Sequence, residues 1–222
     1  MTNHWNDLQY ANVLMVIGAN PAENHPISFR WITKAIENGA KLISVDPRYT
    51  RTSQMAHTYA QLRSGTDIAF IGGMINYVLE NELYHKDYVA AFTNAAYLVG
   101  DSYTFEDGMF SGYDEAKRSY DKTKWSFQTD EEGNNLTDPT LKDPKSVFQI
   151  MKKHYARYDI DTVVGITGTD KKQYIEICKA FASTAAIGKA GTILYAMGTT
   201  QHTTGSQNIR AYAILQLLLG NI

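Results

Sequence analysis

The chain has 222 residues, of which 44% are hydrophobic and 20% are charged, and its formal net charge is -2. These values are typical of an ordinary globular protein and exclude a disordered chain, a collagen and a disulfide-rich scaffold. Because 21 basic residues are balanced by 23 acidic ones, we expect no nucleic-acid partner.

The single cysteine, Cys178, excludes an internal disulfide and any zinc site that takes two cysteine ligands from this chain. It lies in an amphipathic stretch, which predicts an inert core thiol. The six histidines show no spacing suited to a metal. No apolar run is long enough for a membrane span, and residues 1–12 lack the pattern of a signal peptide.

The first part of the chain alternates strand and helix. An apolar run at 12–18 ends in glycine and predicts a strand covered on both faces. A helix follows, with Asn24 as its N-cap, Pro26 in its first turn and a stop at 38–39. Residues 41–45 then predict a second strand, parallel to the first.

The later elements are predicted from periodicity and capping signals. In order, they are a strand at 59–62, a turn at 64–67, helices at 68–82, 86–92, 146–158 and 170–183, a strand at 192–198 and a helix at 206–219. Thr169 is predicted to cap the helix at 170–183. Gly72 and Gly73 weaken the helix at 68–82 unless a neighbouring element packs closely against them.

This order predicts an α/β fold of three layers with a mainly parallel, Rossmann-like sheet and an irregular insertion. We expect residues 1–96 and 146–222 to be the two parts of the α/β domain, truncated at its C-terminus, with a tyrosine-rich insertion at 97–145. The insertion is either a functional, partner-bound segment or a solvated surface loop. The helix that ends at Gly220, with little chain after it, suggests a piece of a longer polypeptide.

Ligands of parallel sheets bind at the carboxyl ends of the strands, where helix N-termini offer N–H groups to phosphate, so we expect a nucleotide or dinucleotide. Asp46 and Asp67 can accept hydrogen bonds from a ribose hydroxyl or from the donor edge of guanine, or can serve as a turn and a helix cap. Arg48 and Arg51 can clamp phosphate or lie exposed without a specific role. For His202 we expect a hydrogen bond within its loop.

Six sequence runs resemble those of a known family. They are IGANPAENHP at 17–26, VDPRYTRT at 45–52, RSGTD at 63–67, MGTTQH at 197–202, QNIR at 207–210 and LLLGN at 217–221. In this order they resemble the molybdopterin oxidoreductase superfamily, and most closely the catalytic major subunit of membrane-associated respiratory formate dehydrogenases. The resemblance spans essentially the whole chain.

The resemblance implies a bis-molybdopterin guanine dinucleotide cofactor with molybdenum or tungsten, which this chain would hold in part. The implied contacts are Gly18, Ala19, Asn20 and Asn24 at the pyrophosphate, Asp46 and Arg48 at the guanosine, Gly65, Thr66 and Asp67 at the guanine, and Met197, Gly198 and Gln201 at the pterin.

The resemblance also implies a parent enzyme that oxidises formate to carbon dioxide and passes electrons to iron-sulfur clusters. Its implied partners are the rest of the catalytic subunit, an iron-sulfur electron-transfer subunit and a membrane cytochrome subunit, in a periplasmic, membrane-associated complex. The family's iron-sulfur cysteines, its selenocysteine or cysteine metal ligand, the adjacent histidine and the substrate arginine are absent from this sequence. We therefore assign no catalytic residue and expect the chain alone to be inactive. We also expect it to be a fragment of a selenoprotein, whose reading frame was assigned a start after an in-frame selenocysteine codon.

Two other interpretations stay open. One is a self-standing nucleotide-binding module, for which the first loop, with one glycine in place of the usual three, predicts little affinity for a nicotinamide cofactor. The other is a non-catalytic interaction protein that uses the tyrosine-rich insertion.

Overall fold

The computed structural model describes residues 3–106 and 108–222. Met1 and Thr2, at which the sequence begins, and Asp107, within the predicted insertion, lie outside the described residues. The chain forms two compact units. The first runs to His85 and resumes at Tyr155, and the second is Lys86–His154.

Four parallel strands build the sheet of the first unit. The strands of the chain are β1 (Val13–Ile17), β2 (Lys41–Val45), β3 (Thr58–Ala60), β4 (Phe105–Glu106), β5 (Met109–Phe110), β6 (Tyr113–Asp114), β7 (Ser119–Tyr120) and β8 (Gly191–Tyr195). The order of the sheet is β3-β2-β1-β8, with every pair parallel. The strand order therefore reverses between β1 and β8, which is the position where open α/β sheets bind their ligands.

The helices that accompany the strands are α1 (Pro21–Asn24), α2 (Pro26–Glu37), α3 (Arg51–Met55), α4 (Asp67–Glu80), α5 (Lys86–Phe92), α6 (Val147–Tyr155), α7 (Ile160–Thr167), α8 (Lys171–Ala182), α9 (Met197–Thr200) and α10 (Gly205–Leu219). The predicted α/β class with a parallel sheet flanked by helices is confirmed. None of the helices in 3–106 and 108–222 is long and apolar enough to cross a membrane.

The core surrounds β1, whose five residues are all buried. On one face, Leu14 and Val16 pack with Leu42 of β2 against Ile32 and Ala35 of α2. The alternate residues of β1 point to the opposite face, where α8 contacts the sheet. Each buried Leu, Ile or Val side chain contributes about 1.5–3 kcal/mol, so double-sided burial explains why this run is continuously apolar.

Close packing explains the two glycines of α4, which would otherwise only weaken the helix. A Cβ atom on Gly72 would lie 3.0 Å from the ring of Tyr158. A Cβ atom on Gly73 would overlap the hydroxyl of Tyr174 and lie 2.7 Å from Val163. These glycines let α7 and α8 approach α4, with which both helices are in contact.

Several local predictions were wrong. His25 occupies the N-cap position of α2, because Asn24 ends the short helix α1. Asp170 caps α8 by accepting a hydrogen bond from the backbone N–H of Gln173, whereas the hydroxyl of Thr169 donates to the carbonyl of Gln61. The helix α7 was not predicted, and β3 lies at 58–60 instead of 59–62.

The second unit holds two small antiparallel hairpins, β4–β5 and β6–β7. Phe110 lies at the centre of an aromatic cluster with Phe105, Tyr120 and Trp125. The two ends of the predicted insertion are close together, since the N–H of Val99 donates to the carbonyl of residue 145 over 2.9 Å.

Candidate functional site

A pocket of about 330 Å³ lies at the carboxyl ends of the parallel strands. It is lined by Gly18, Asp46, Pro47, Leu62, Ser64, Asp67, Gly198, Gln201 and His202. These residues follow β1, β2, β3 and β8, so every strand of the sheet contributes to the pocket. Its volume is at the lower end of the range of roughly 300–1,000 Å³ for small-ligand pockets.

The loops after β1 and β8 meet through two glycines. The N–H of Gly198 donates to the carbonyl of Gly18 over 3.1 Å, and Gly18 has a φ of +60°. A Cβ atom on Gly18 would lie 2.5 Å from the hydroxyl of Thr199, and one on Gly198 would lie 2.6 Å from the carbonyl of Gly18. Both glycines are therefore required for the close approach of the two loops.

A buried carboxylate stands at one side of the pocket. Asp67 is 4% exposed and is the first residue of α4. Burial raises the pKa of Asp67, its own N–H and His202 oppose that rise, and Asp46 adds to it. The Nε2 atom of His202 lies 3.9 Å from Oδ2 of Asp67 and 2.8 Å from the carbonyl of Gly198, to which it donates. The hydrogen bond expected for His202 is thus present.

The second carboxylate, Asp46, is half-buried at the end of β2. Burial raises its pKa, whereas the N–H and the charge of Arg48 lower it. That N–H donates to Oδ1 of Asp46 over 2.8 Å, which is the predicted turn. The hydroxyl of Tyr59 donates to the carbonyl of Asp46 over 2.9 Å. The carboxylate is therefore positioned by its neighbours and still lines the pocket.

The loop after β1 combines structural side chains with open backbone donors. The Oδ1 atom of Asn20 accepts hydrogen bonds from the N–H and the hydroxyl of Thr52, and its amide donates to Glu23. This side chain therefore holds the loop. The backbone N–H groups of Ala19 and Asn20 have no acceptor among the described residues, so they can donate to an anionic group.

Buried polar side chains lie beneath the loop after β8. The hydroxyl of Thr199 lies 3.2 Å from both the carbonyl of Ile17 and the hydroxyl of Tyr212, and the amide of Asn208 donates to the carbonyl of Thr199. Burial raises the pKa of Tyr212 far above its ordinary value. These contacts fix α9 against β1 and were missed in the sequence, because polar residues within helices leave no periodic signal.

The structure brings together five of the predicted site residues, namely Gly18, Asp46, Asp67, Gly198 and Gln201. The remaining ones do not line the pocket. Asn24, Arg48 and Gly65 are exposed, Thr66 donates to the carbonyl of residue 63, and Met197 is 66% exposed. The lining also contains Pro47, Leu62, Ser64 and His202, which sequence analysis did not assign to the site.

Two other features carry no site. A depression of about 510 Å³ follows one exposed face of α8, is lined by residues 170–179 only, and contains no predicted site residue. Within 3–106 and 108–222, no group of three His, Cys, Asp or Glu side chains is arranged to hold a metal ion. Cys178 is 1% exposed, and burial raises its pKa to about 12, as expected for an inert thiol.

Comparison with known proteins finds a family and relatives that match the chain over its whole length. The family model "Molybdopterin oxidoreductase" matches residues 1–222. Formate dehydrogenase subunit alpha of Megalodesulfovibrio gigas is 58% identical over 222 residues, which are 100% of this chain and 22% of that protein. The formate dehydrogenase-O major subunit of Escherichia coli K12 is 50% identical over 223 positions, with 100% and 22% of the two chains covered.

A solved structure shows the same fold in a more distant protein. Acetylene hydratase from Pelobacter acetylenicus superposes with a TM-score of 0.65 at 23% identity, over 98% of this chain and 24% of that one. The chain thus spans about a fifth to a quarter of the length of these proteins. Since the family model covers it from end to end, the chain belongs to the molybdopterin oxidoreductase family.

Proposed function

We propose that this chain is part of a formate dehydrogenase catalytic subunit and binds the guanine nucleotide end of one molybdopterin guanine dinucleotide. The observation that carries the proposal is the convergence of Asp46 and Asp67 with Gly18 and Gly198 in one pocket at the strand-order reversal.

The lining residues fit the donor edge of guanine. Asp46 and Asp67 supply acceptors, and none of the described lining residues is a lysine or arginine that would attract phosphate. Guanine offers adjacent N–H donors on its Watson-Crick edge, whereas adenine offers one amino donor beside an acceptor. Two carboxylates therefore favour guanine over adenine.

The phosphates and the pterin would then lie outside the pocket. The open N–H groups of Ala19 and Asn20 suit the pyrophosphate, whose negative charge such backbone donors stabilise. Asn24 and Arg48 would reach the nucleotide from the exposed rim, Gly65 and Thr66 would border the guanine, and Met197 and Gln201 would approach the pterin. When bound, the cofactor's molybdenum or tungsten supplies the redox chemistry, and this chain contributes binding and orientation.

The parent protein is proposed by analogy with the relatives. We propose that it oxidises formate, that it also carries an iron-sulfur cluster, and that it works with an iron-sulfur electron-transfer subunit and a membrane cytochrome subunit in a periplasmic respiratory complex. One relative, from Nitratidesulfovibrio vulgaris, is 52% identical and carries "cytochrome c-553" in its name. Copurification of these subunits with tagged full-length protein, and its metal and pterin content, would test this.

The nucleotide site is tested by titrating the 222-residue chain with GDP and with ADP in a calorimeter. We expect tighter binding of GDP. Asp67→Ala should weaken it by about 10-fold to 150-fold, since a hydrogen bond to a charged group is worth about 1.5–3 kcal/mol. Glu176→Ala, which removes an exposed carboxylate on α8, is the control and should bind as the wild type does. Equal affinity for ADP, or an unaffected Asp67→Ala variant, would contradict the proposal.

A further inference from the structure

We propose that His202 is a positioning residue of the nucleotide pocket, where its ring holds the loop of Gly198 and supports the carboxylate of Asp67 that the ligand needs. The inference rests on the proposed function, because it concerns the same pocket. It assigns a role to a side chain that none of the guanine contacts described above includes.

The geometry of His202 supports two roles for one ring. Its Nε2–H donates to the carbonyl of Gly198, so the neutral ring carries its proton on Nε2. The same atom lies 3.9 Å from Oδ2 of Asp67, and the side chain is 27% exposed. The ring therefore connects the loop after β8 to the first turn of α4, across one wall of the pocket.

Two groups favour the ionised form of Asp67, namely its own backbone N–H and, after it, His202. The titratable groups that face Asp67 are His202, Asp46 and Tyr212, and the charge of Arg48 acts on Asp46. The charge of Asp46 repels a negative charge on Asp67, and burial removes water from the Asp67 carboxyl, so both raise its pKa. Of the groups that face Asp67, only His202 can become a cation, and when protonated it stabilises the carboxylate that a donor-rich ligand needs.

The substitution His202→Gln separates the two roles. Glutamine retains an N–H donor for the Gly198 carbonyl but cannot become a cation. We expect the variant to fold as the wild type does, and the midpoint of the Asp67 carboxyl titration, followed by carbon-13 NMR of the 222-residue chain, to rise. This readout needs no ligand, and a purely structural role for His202 would leave it unchanged.

Guanosine, which has no titrating phosphate, is the probe for the ligand. At pH 8 the His202→Gln variant should bind guanosine within about twofold of the wild type, because a higher pH favours the ionised carboxyl of Asp67 in both chains. At pH 5 its affinity should fall about threefold to tenfold below that of the wild type. His202→Ala, which also removes the bond to Gly198, should lose affinity at both pH values, and His4→Gln should change neither.

The outcomes separate the two proposals. An Asp67 midpoint that is unchanged in His202→Gln overturns the role of His202, whatever guanosine does. A raised midpoint in a chain that binds no guanosine at any pH overturns the proposed function, and with it the ligand part of this inference.

Discussion

At the scale of single residues, the candidate site is held together by close contacts and not by flexible side chains. Gly18 and Gly198 make one backbone hydrogen bond, and Asn20 holds its loop through Thr52. The two carboxylates keep raised pKa values because the folded chain withdraws them from water. Folding therefore favours the protonated form of Asp67, whereas the proposed ligand needs the ionised form.

The first prediction concerns the glycine contact. Gly18→Ala should lower the free energy of unfolding by about 2–4 kcal/mol, because it adds an overlap with Thr199 to the cost of a left-handed φ. Gly39→Ala is the matched control, since Gly39 has a φ of +90° with nothing within 4 Å, and it should lose about 1 kcal/mol. Urea unfolding of the 222-residue chain measures both. Equal losses in the two variants would show that the contact between Gly18 and Thr199 does not affect the free energy of unfolding.

The second prediction concerns pH. Because burial raises the folded-state pKa of Asp67, the stability associated with its protonated form is complete below the ordinary value of 3.8 and is lost as pH rises through the folded value. Asp67→Asn should therefore raise the unfolding free energy at pH 7 and leave it nearly unchanged at pH 3. Urea unfolding at the two pH values tests the sign.

Asp138 provides the opposite case as a control. The hydroxyl of Thr140, followed by the N–H of Asp143, lowers the pKa of Asp138 to about 2. Its stabilisation is present above the ordinary value of 3.8 and is lost as pH falls through about 2. Asp138→Asn should therefore destabilise the chain at pH 7, and a stabilised Asp138→Asn would contradict this reasoning.

At the scale of helices and strands, packing decides what propensity alone cannot. The two glycines of α4 have low helix propensity, and their presence is explained by the close packing of Tyr158 and Tyr174 against them. Asp159 and Gly168 cap α7 at its two ends, and the N–H of Arg63 donates to the carbonyl of Thr167. These contacts connect the turn before α4 to α7, and they place Asp67 beside the pocket.

The third prediction compares two glycines that both lie within helices. Gly73→Ala should destabilise the chain by about 1–3 kcal/mol, because the overlap with Tyr174 and Val163 exceeds the gain of about 1 kcal/mol in helix propensity. Gly165→Ala in α7 meets nothing within 4 Å and should stabilise by about 0.5–1 kcal/mol. Thermal unfolding of the two variants measures this, and a shift of both midpoints in the same direction would contradict it.

The sequence predicted the strands β1, β2 and β8 well, because each is rich in apolar residues. The strand predicted at 192–198 was too long, since β8 ends at Tyr195 and Met197 and Gly198 belong to α9. It failed at α7, whose residues, IDTVVGIT, are mostly β-branched or glycine and so have low helix propensity. The caps at Asp159 and Gly168 were the signal that could have found it. Pro47, Leu62 and Ser64 could not be assigned to the pocket, because nothing in their spacing distinguishes a pocket wall from a turn.

At the scale of the whole molecule, each of the two units has its own interactions. The first contains the sheet and the candidate pocket, and the second contains the hairpins and the aromatic cluster around Phe110. The predicted division at 97–145 stays a prediction, and the compact second unit spans the wider range Lys86–His154. Met109, Phe110 and Tyr113 are among the exposed large hydrophobic residues of this unit.

The fourth prediction concerns the insertion. Because Val99 and Lys145 are joined by a backbone hydrogen bond, residues 100–144 can be replaced by a two-residue Asn-Gly turn. The shortened chain should retain GDP binding within about threefold, since the pocket lies entirely in the first unit. Calorimetry measures the affinity, and complete loss of binding by a folded variant would contradict the prediction. The same deletion in full-length protein should reduce copurification with the iron-sulfur subunit if the insertion binds it.

The hydrogen bond between Gly18 and Gly198 has a consequence for how the sheet responds to a ligand. Since the two loops share this bond, a molecule that displaces either loop must break the bond or move both strand ends together. The free energy needed to displace one loop then depends on the other loop, so that in the proposed cofactor site the occupancy of the nucleotide side and of the pterin side would be thermodynamically linked. In this way two glycines that are 180 positions apart in the sequence would couple ligand binding at the loops after β1 and β8.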